Sequence, residues 1–443
     1  MIVRCYIRKF VPAQIRKLIR KFIHISNTNT LKEQYYIKTI QWKQQKALAN
    51  LHGKAKIKCC FFAIHVEVWK YDDLFRLMMD NPRFEPLVLV CPVVNYGFEN
   101  MIERMKENQL YFEKKGYKTI ISYDPQTKTY VDVKREISPD IIFYTNPYHG
   151  LIDDRYYITN FRDILTAYVP YSMNNSQAWE ANYNLLFYNL LWRHYQITDR
   201  HRAYAVKYSR NKGINAITVG YPGIEGFIRP TNNSRLNDWK NDDRKYKRII
   251  WAPHHTITPA YGCVYFSCFM RYYEFMINIA EKYKSEVLFS FKPHPLLKNN
   301  LDVIWGKEKT KEYYDKWALM ENTSVNEGDY VDLFLSSDAM IHDCGSFISE
   351  YLYVNKPVMR TLNEVEESDK MNDFAMECIA NHYLAYNEKD IEQFIQNVIN
   401  GVDPLKEQRT KFVNEVLMPK GSPSQNIIDD ILDSIDNQIL YRN

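Results

Sequence analysis

Imidazole, ammonium and carboxylate groups gather in three short stretches: "WAPHHTI" (251–257), "FSFKPHPLL" (289–297) and "HDCGSFISE" (342–350). In each, an apolar run of the kind that makes a buried strand stops at a polar tip. Imidazole titrates near neutrality, so His254, His255 and His294 are candidates for holding or moving a proton. Pro293 and Pro295 fix the backbone on both sides of His294, which presents its ring with little entropy left to lose, and Lys292 adds a positive charge beside it. Two adjacent histidines point in different directions, so at most one of His254 and His255 is expected to face a common ligand. In the third stretch Asp343 lies in the turn, Gly345 permits close approach of a ligand to the backbone, and Ser346 is a good N-cap at a helix start that suits an anion. Glu350, one turn further on, suits hydrogen bonds from ribose hydroxyls.

These residues are useful only if the chain brings them together. From about Lys56 onward, short apolar runs such as "KIKCCFFAIHVEVW", "FEPLVLVCPV" and "PDIIFYTNPY" alternate with helical stretches. The alternation resumes through "RIIWAP", "EVLFSFKPHP", "VDLFLSSDAMIHD" and "KPVMRTL" after a polar segment near 229–246. Strand–helix alternation implies right-handed crossovers and parallel sheets. The expected fold is α/β, with two doubly wound Rossmann-like domains facing a cleft. The expected division is a basic helical segment (1–50), a first domain (51–228), a linker (229–246) and a second domain with terminal helices (247–443). All three polar tips then fall at carboxyl ends of strands of the second domain, where ligands of such sheets bind.

The chain of 443 residues has 46% hydrophobic and 15% aromatic content, enough for two packed cores. A net charge of +5 is modest over that length and gives no reason to expect nucleic acid as a partner. The positive charge is concentrated at the start, where Arg4, Arg8, Lys9, Arg16, Lys17, Arg20 and Lys21 precede the first acidic residue, Glu33. Ile15, Leu18, Ile19, Phe22 and Ile23 recur there at helical spacing, the pattern of a helix lying on an anionic membrane surface. Eight scattered cysteines make neither a zinc framework nor a secreted disulfide scaffold, so a reducing compartment is expected. With no run of about 18 apolar residues and no signal-peptide pattern, the body is expected in the cytoplasm, peripheral on the inner face of the membrane. There is no G-x-G-x-x-G, Walker A loop, H-E-x-x-H or G-x-S-x-G, and no metal-ligand cluster is apparent from spacing.

The order "WAP", "KPHP" and "HDCGSFISEYLYVNKPV" resembles the CDP-glycerol glycerophosphotransferase family of teichoic-acid-type polyol-phosphate transferases, chiefly over residues 245–360. The resemblance implies a GT-B fold and transfer of glycerol phosphate or ribitol phosphate from a CDP-polyol to a hydroxyl of a lipid-linked or growing envelope glycan, releasing CMP. It makes His294 the match of the family's catalytic or phosphate-contacting histidine. Lys292, Asp343, Gly345, Ser346 and Glu350 fall on the donor side, with Gly345 where the family usually has serine. The family's W-H-G motif has no counterpart: "YVPYSMNNS", containing Asn174, stands in its place without a histidine. His149, His254 and His255 are the substitutes as base. The implied partners are a nucleotide-activated donor, the glycan acceptor and the membrane surface, with no cofactor or metal. A glycosyltransferase using a nucleotide sugar and a catalytically inactive nucleotide-binding subunit are the alternatives.

Overall fold

The computed structural model describes residues 13–228, 239–240, 245–258, 266–328, 330–363 and 370–442, with side chains from residue 30 onward. Two all-parallel sheets form its two layers of strands. The first has the order β3 (Thr119–Ile121), β2 (Phe84–Val90), β1 (Ile57–Ala63), β6 (Ile141–Tyr144), β7 (Leu165–Tyr168), β8 (Arg193–Gln196) and β9 (Ala216–Thr218), with a small hairpin of β4 (Tyr123–Asp124) and β5 (Thr129–Tyr130) beside it. The second has the order β12 (Thr323–Val325), β11 (Val287–Phe291), β10 (Lys247–Ala252), β13 (Ala339–His342), β14 (Val358–Thr361) and β15 (Tyr383–Ala385). Strands such as Val287–Phe291 are buried along their whole length because helices cover both faces, which is why they read as continuous apolar runs.

The second sheet steps outward from β10 in both directions: β11 on one side, β13 on the other. That reversal opens a crevice at the carboxyl ends of these three strands. The residues that follow them are Pro253–Thr256, Lys292–Leu296 and Asp343–Ser346, the three polar tips of the sequence.

Several local expectations change. The stretch Val331–Ser336 is a helix rather than the start of a strand; Leu333 and Phe334 bury one face while Asp332 stays at its first turn. β8 escapes notice in the sequence because its residues are Arg193, His194, Tyr195 and Gln196, yet all four are buried. Most of the polar segment 229–246 lies outside the described residues, but Trp239 is buried and donates from Nε1 to Ser336 Oγ at 2.9 Å. The helix Pro423–Asp436, placed with the second domain by chain order, packs instead on the first. There Arg193, fully buried, donates to Asp430 Oδ2 at 2.8 Å, and the Leu440 carbonyl accepts from Arg193 at 2.6 Å. A buried guanidinium needs such partners, and the returning helix supplies the carboxylate.

The helix Ala13–Ala49 runs along the first domain, where Ile40, Gln44 and Leu48 are buried and Gln44 Nε2 donates to the Leu190 carbonyl at 2.9 Å. Arg16, Lys17, Arg20 and Lys21 lie on it with side chains outside those described; Arg4, Arg8 and Lys9 lie outside the described residues. Among the described residues, no helix is long and apolar enough to cross a membrane.

Candidate active site

The tips after β10 and β11 bring three imidazoles together. Ring centroids lie 4.3 Å apart for His254 and His255, 4.9 Å for His254 and His294, and 4.2 Å for His255 and His294. Both adjacent histidines therefore join the cluster, against the expectation for at most one, because the chain curls back at this tip as Ile257 N–H donates to the His255 carbonyl. The two tips are pinned to each other by the His294 N–H donating to the Pro253 carbonyl at 3.0 Å. One ring nitrogen from each residue lies within 4.8 Å of the others, so a metal-ligand spacing that the sequence does not display is present in space.

The rings are individually held. His254 Nδ1 lies 2.9 Å from Thr256 Oγ1 and accepts from the Thr256 N–H at 3.4 Å. His294 Nδ1 accepts from the Leu296 N–H at 3.1 Å. Burial, with help from neighbouring imidazoles, lowers the pKa of His254 to about 2. For His294, burial together with His255 and Lys292 lowers it to about 4, and burial alone lowers that of His255. At neutral pH all three rings are uncharged.

Asp343 supports this cluster from behind. It is 2% exposed, and its two oxygens accept from the backbone N–H groups of His254, at 2.5 Å, and Cys268, at 2.6 Å. Burial pushes its carboxyl up to about 7, against the pull of those two N–H donors and Arg360. Lys292 is likewise buried and donates to the Gly328 carbonyl at 2.8 Å, bracing the segment after β12. Glu350 is 3% exposed; one of its oxygens accepts from Tyr330 at 2.7 Å, and burial raises its pKa despite Lys70 of the first domain. Asp343, Lys292 and Glu350 thus carry structural bonds that their positions in the sequence do not reveal.

Gly345 and Ser346 face a cavity of about 200 Å³ between the two sheets. Ser346 is itself helical and its hydroxyl makes no cap; the α-helix it precedes has only four residues, Phe347–Glu350. A Cβ on Gly345 would stand 3.1 Å from the Phe266 ring, so the residue type here sets how closely that ring approaches. Phe266, which lines the cavity, also packs edge-on to His254, at 5.4 Å between centroids, and so joins the histidine cluster to the cavity wall.

The opposite wall is the "YVPYSMNNS" loop with Tyr148: Tyr171, Ser172, Asn174 and Asn175 line the cavity. Asn175 Nδ2 donates across the cleft to the Gly345 carbonyl at 2.8 Å, and Asn372 Nδ2 donates to the Asn174 carbonyl at 2.6 Å. His149 is not brought in. It is exposed, and its Nε2 lies 3.0 Å from Asp154. Thr256, Phe266, Asn175 and Asn372 are the residues that sequence reasoning passed over; only the doubled Asn174-Asn175 offered a signal, since short amides favour such loops.

Comparison with known proteins bears on this arrangement. The wall teichoic acid polymerase TagF, as a variant, superimposes with a TM-score of 0.59 at 12% identity, covering 93% of this chain and 99% of that one. TagF from crystals soaked with CDPG gives 0.55 at 12% identity, covering 97% and 100%. The S. aureus MnaA–UDP structure gives 0.55 at 12% identity, covering 87% and 99%. At such identities these likenesses establish the shared two-domain α/β fold, of GT-B type. No curated protein matches the chain. The family model described as CDP-glycerol:poly(glycerophosphate) glycerophosphotransferase matches residues 172–433, more than half of the chain, beginning at the cavity loop and including every polar tip. The chain belongs to the CDP-glycerol glycerophosphotransferase family of transferases.

Proposed function

We infer that the protein transfers glycerol phosphate, or ribitol phosphate, from a CDP-polyol to a hydroxyl of a lipid-linked or growing envelope glycan, with release of CMP. The donor lies along the rim of the second sheet, with His254, His255 and His294 as the reacting set and Gly345 and Ser346 at its diphosphate. The acceptor enters by the cavity that Asn174 lines, and Lys292, Asp343 and Glu350 hold the donor side in shape. Phosphoryl-type transfer asks a protein mainly for positioning and charge stabilisation, which uncharged, pre-oriented ring N–H groups supply. The observation that carries this reading is the convergence of three neutral imidazoles from two strand tips beside an interdomain cavity.

The domain division at 51–228 and 247–443, with 229–246 between, assigns acceptor and donor to separate halves, apart from the returning helix. The basic start of the chain holds the enzyme to the anionic inner face of the cell membrane, where a lipid-linked acceptor resides. The test is incubation of purified protein and envelope lipid extract with CDP-glycerol, CDP-ribitol and a panel of nucleotide sugars, reading released nucleotide by chromatography. Acceptor-dependent CMP, lost in His294→Ala, supports the reading. Release of a nucleoside diphosphate from a nucleotide sugar would replace it with glycosyl transfer, and silence across the panel would favour an inactive nucleotide-binding subunit.

A further inference from the structure

The histidine cluster holds information about where its protons sit. A backbone N–H can only donate, so the nitrogen that accepts from it carries no hydrogen. His294 Nδ1 accepts from Leu296 N–H, and His254 Nδ1 accepts from Thr256 N–H. The Thr256 hydroxyl already accepts from the Phe266 N–H at 3.0 Å, which leaves its own hydrogen to donate to His254 Nδ1. A neutral imidazole with a bare Nδ1 carries its hydrogen on Nε2. His255 differs: among the described residues neither of its ring nitrogens has a hydrogen-bond partner, while its carbonyl is taken by Asn300 Nδ2 at 2.8 Å.

We propose that the three histidines divide their roles by tautomer: His254 and His294 offer Nε2–H as a pair of donors to the diphosphate, and His255 is the general base. This rests on the transfer reading given above. In the step, the acceptor hydroxyl oxygen bonds to the phosphorus that carries the polyol. Its proton passes to a free ring nitrogen of His255. The bond from that phosphorus to the bridging oxygen breaks, and CMP leaves with the electron pair, its developing charge met by the two Nε2–H groups. The base role that the absent W-H-G histidine leaves open is thereby filled from the opposite domain.

The test joins a spectroscopic measurement with paired substitutions. Nitrogen-15 NMR of histidine-labelled protein should find His254 and His294 as Nε2–H tautomers; Nδ1–H at either would overturn the donor assignment. Glutamine places its amide nitrogen where Nε2 stands and asparagine where Nδ1 stands. His294→Gln and His254→Gln should therefore keep CDP affinity, by calorimetry, within about threefold, whereas the asparagine variants lose tenfold or more, as for a lost charge-assisted hydrogen bond. His255→Ala should bind CDP as wild type does while CMP release falls by about 10²–10⁴ and returns with added imidazole. Near wild-type turnover by His255→Ala would overturn its role. A wild-type protein that releases no CMP from any CDP-polyol would remove the transfer reading and the base with it, and the tautomers and CDP binding would still decide the donor pair.

Discussion

Replacing Asp343 by asparagine should remove the part of the second domain's pH-dependent stability that this carboxyl carries, while the opposite-signed part from the buried histidines stays. The buried carboxyl, ordinarily near 3.8, is pushed up to about 7 in the folded protein. A folded-state value above the unfolded one means that folding takes up a proton, so the contribution is fully present below about pH 4 and is lost as pH rises through 7. With those two values, Asp343 alone removes about 2–3 kcal/mol of stability between pH 5 and pH 8. Asparagine cannot titrate. It keeps one oxygen for the backbone N–H of His254 or Cys268 and sets an amide against the other, at a cost of about 1–3 kcal/mol that does not vary with pH. Urea titrations at pH 5 and pH 8, followed by fluorescence of the buried Trp251 and Trp317, measure both effects. Asp343→Asn should be the less stable protein at pH 5 and should close or reverse the gap at pH 8. An unchanged difference between the two pH values in wild type and variant would refute the reasoning, because it would mean that this carboxyl titrates as in water.

Other perturbations separate the parts of the molecule. Arg193→Ala leaves buried Asp430 with Arg442 as its one remaining ion-pair partner among the described residues, beside the Tyr195 hydroxyl, and should cost about 3–5 kcal/mol in denaturant unfolding. Gly345→Ala should press on Phe266, lowering CMP release while changing stability by less than about 1 kcal/mol, because the ring must give by only a few tenths of an ångström. Exchanging Arg16, Lys17, Arg20 and Lys21 for glutamine should shift the protein off anionic vesicles in flotation, each charge contributing about 1 kcal/mol near the surface; equal flotation of both proteins would remove the membrane role.

The alternation of apolar runs with helices made most of both sheets legible, and the rule that ligands gather at strand carboxyl ends brought the tips bearing His254, His255 and His294 to one rim, though with one of the adjacent pair expected to turn away. What stayed hidden depends on partners far along the chain. Arg193 to Gln196 look like a loop until Asp430 returns to pair the guanidinium. Glu350 looks like a ribose ligand until Tyr330 occupies one of its oxygens. Asp343 looks like part of a phosphate turn until His254 and Cys268 claim both of its oxygens. Phe266 gives no signal at all, since its place against His254 and the cavity depends on packing over Gly345.

The returning helix Pro423–Asp436 has a consequence for synthesis. The first domain closes over Arg193 only with residues 430–440, so during translation its buried cation waits while the whole second sheet is made. The second sheet, complete by Ala385, is free to fold before the first domain is closed by its returning helix, reversing the usual amino-to-carboxyl order of domain completion. Where the chain crosses back, Gly220 at φ +94° sits so close to Pro419 and Pro423 that any Cβ there would fall 2.5 Å from Pro419 Cβ. A side chain at Gly220 should therefore act late in biogenesis, blocking the return crossing and leaving nascent protein with a finished donor half and an open acceptor half for chaperones to hold.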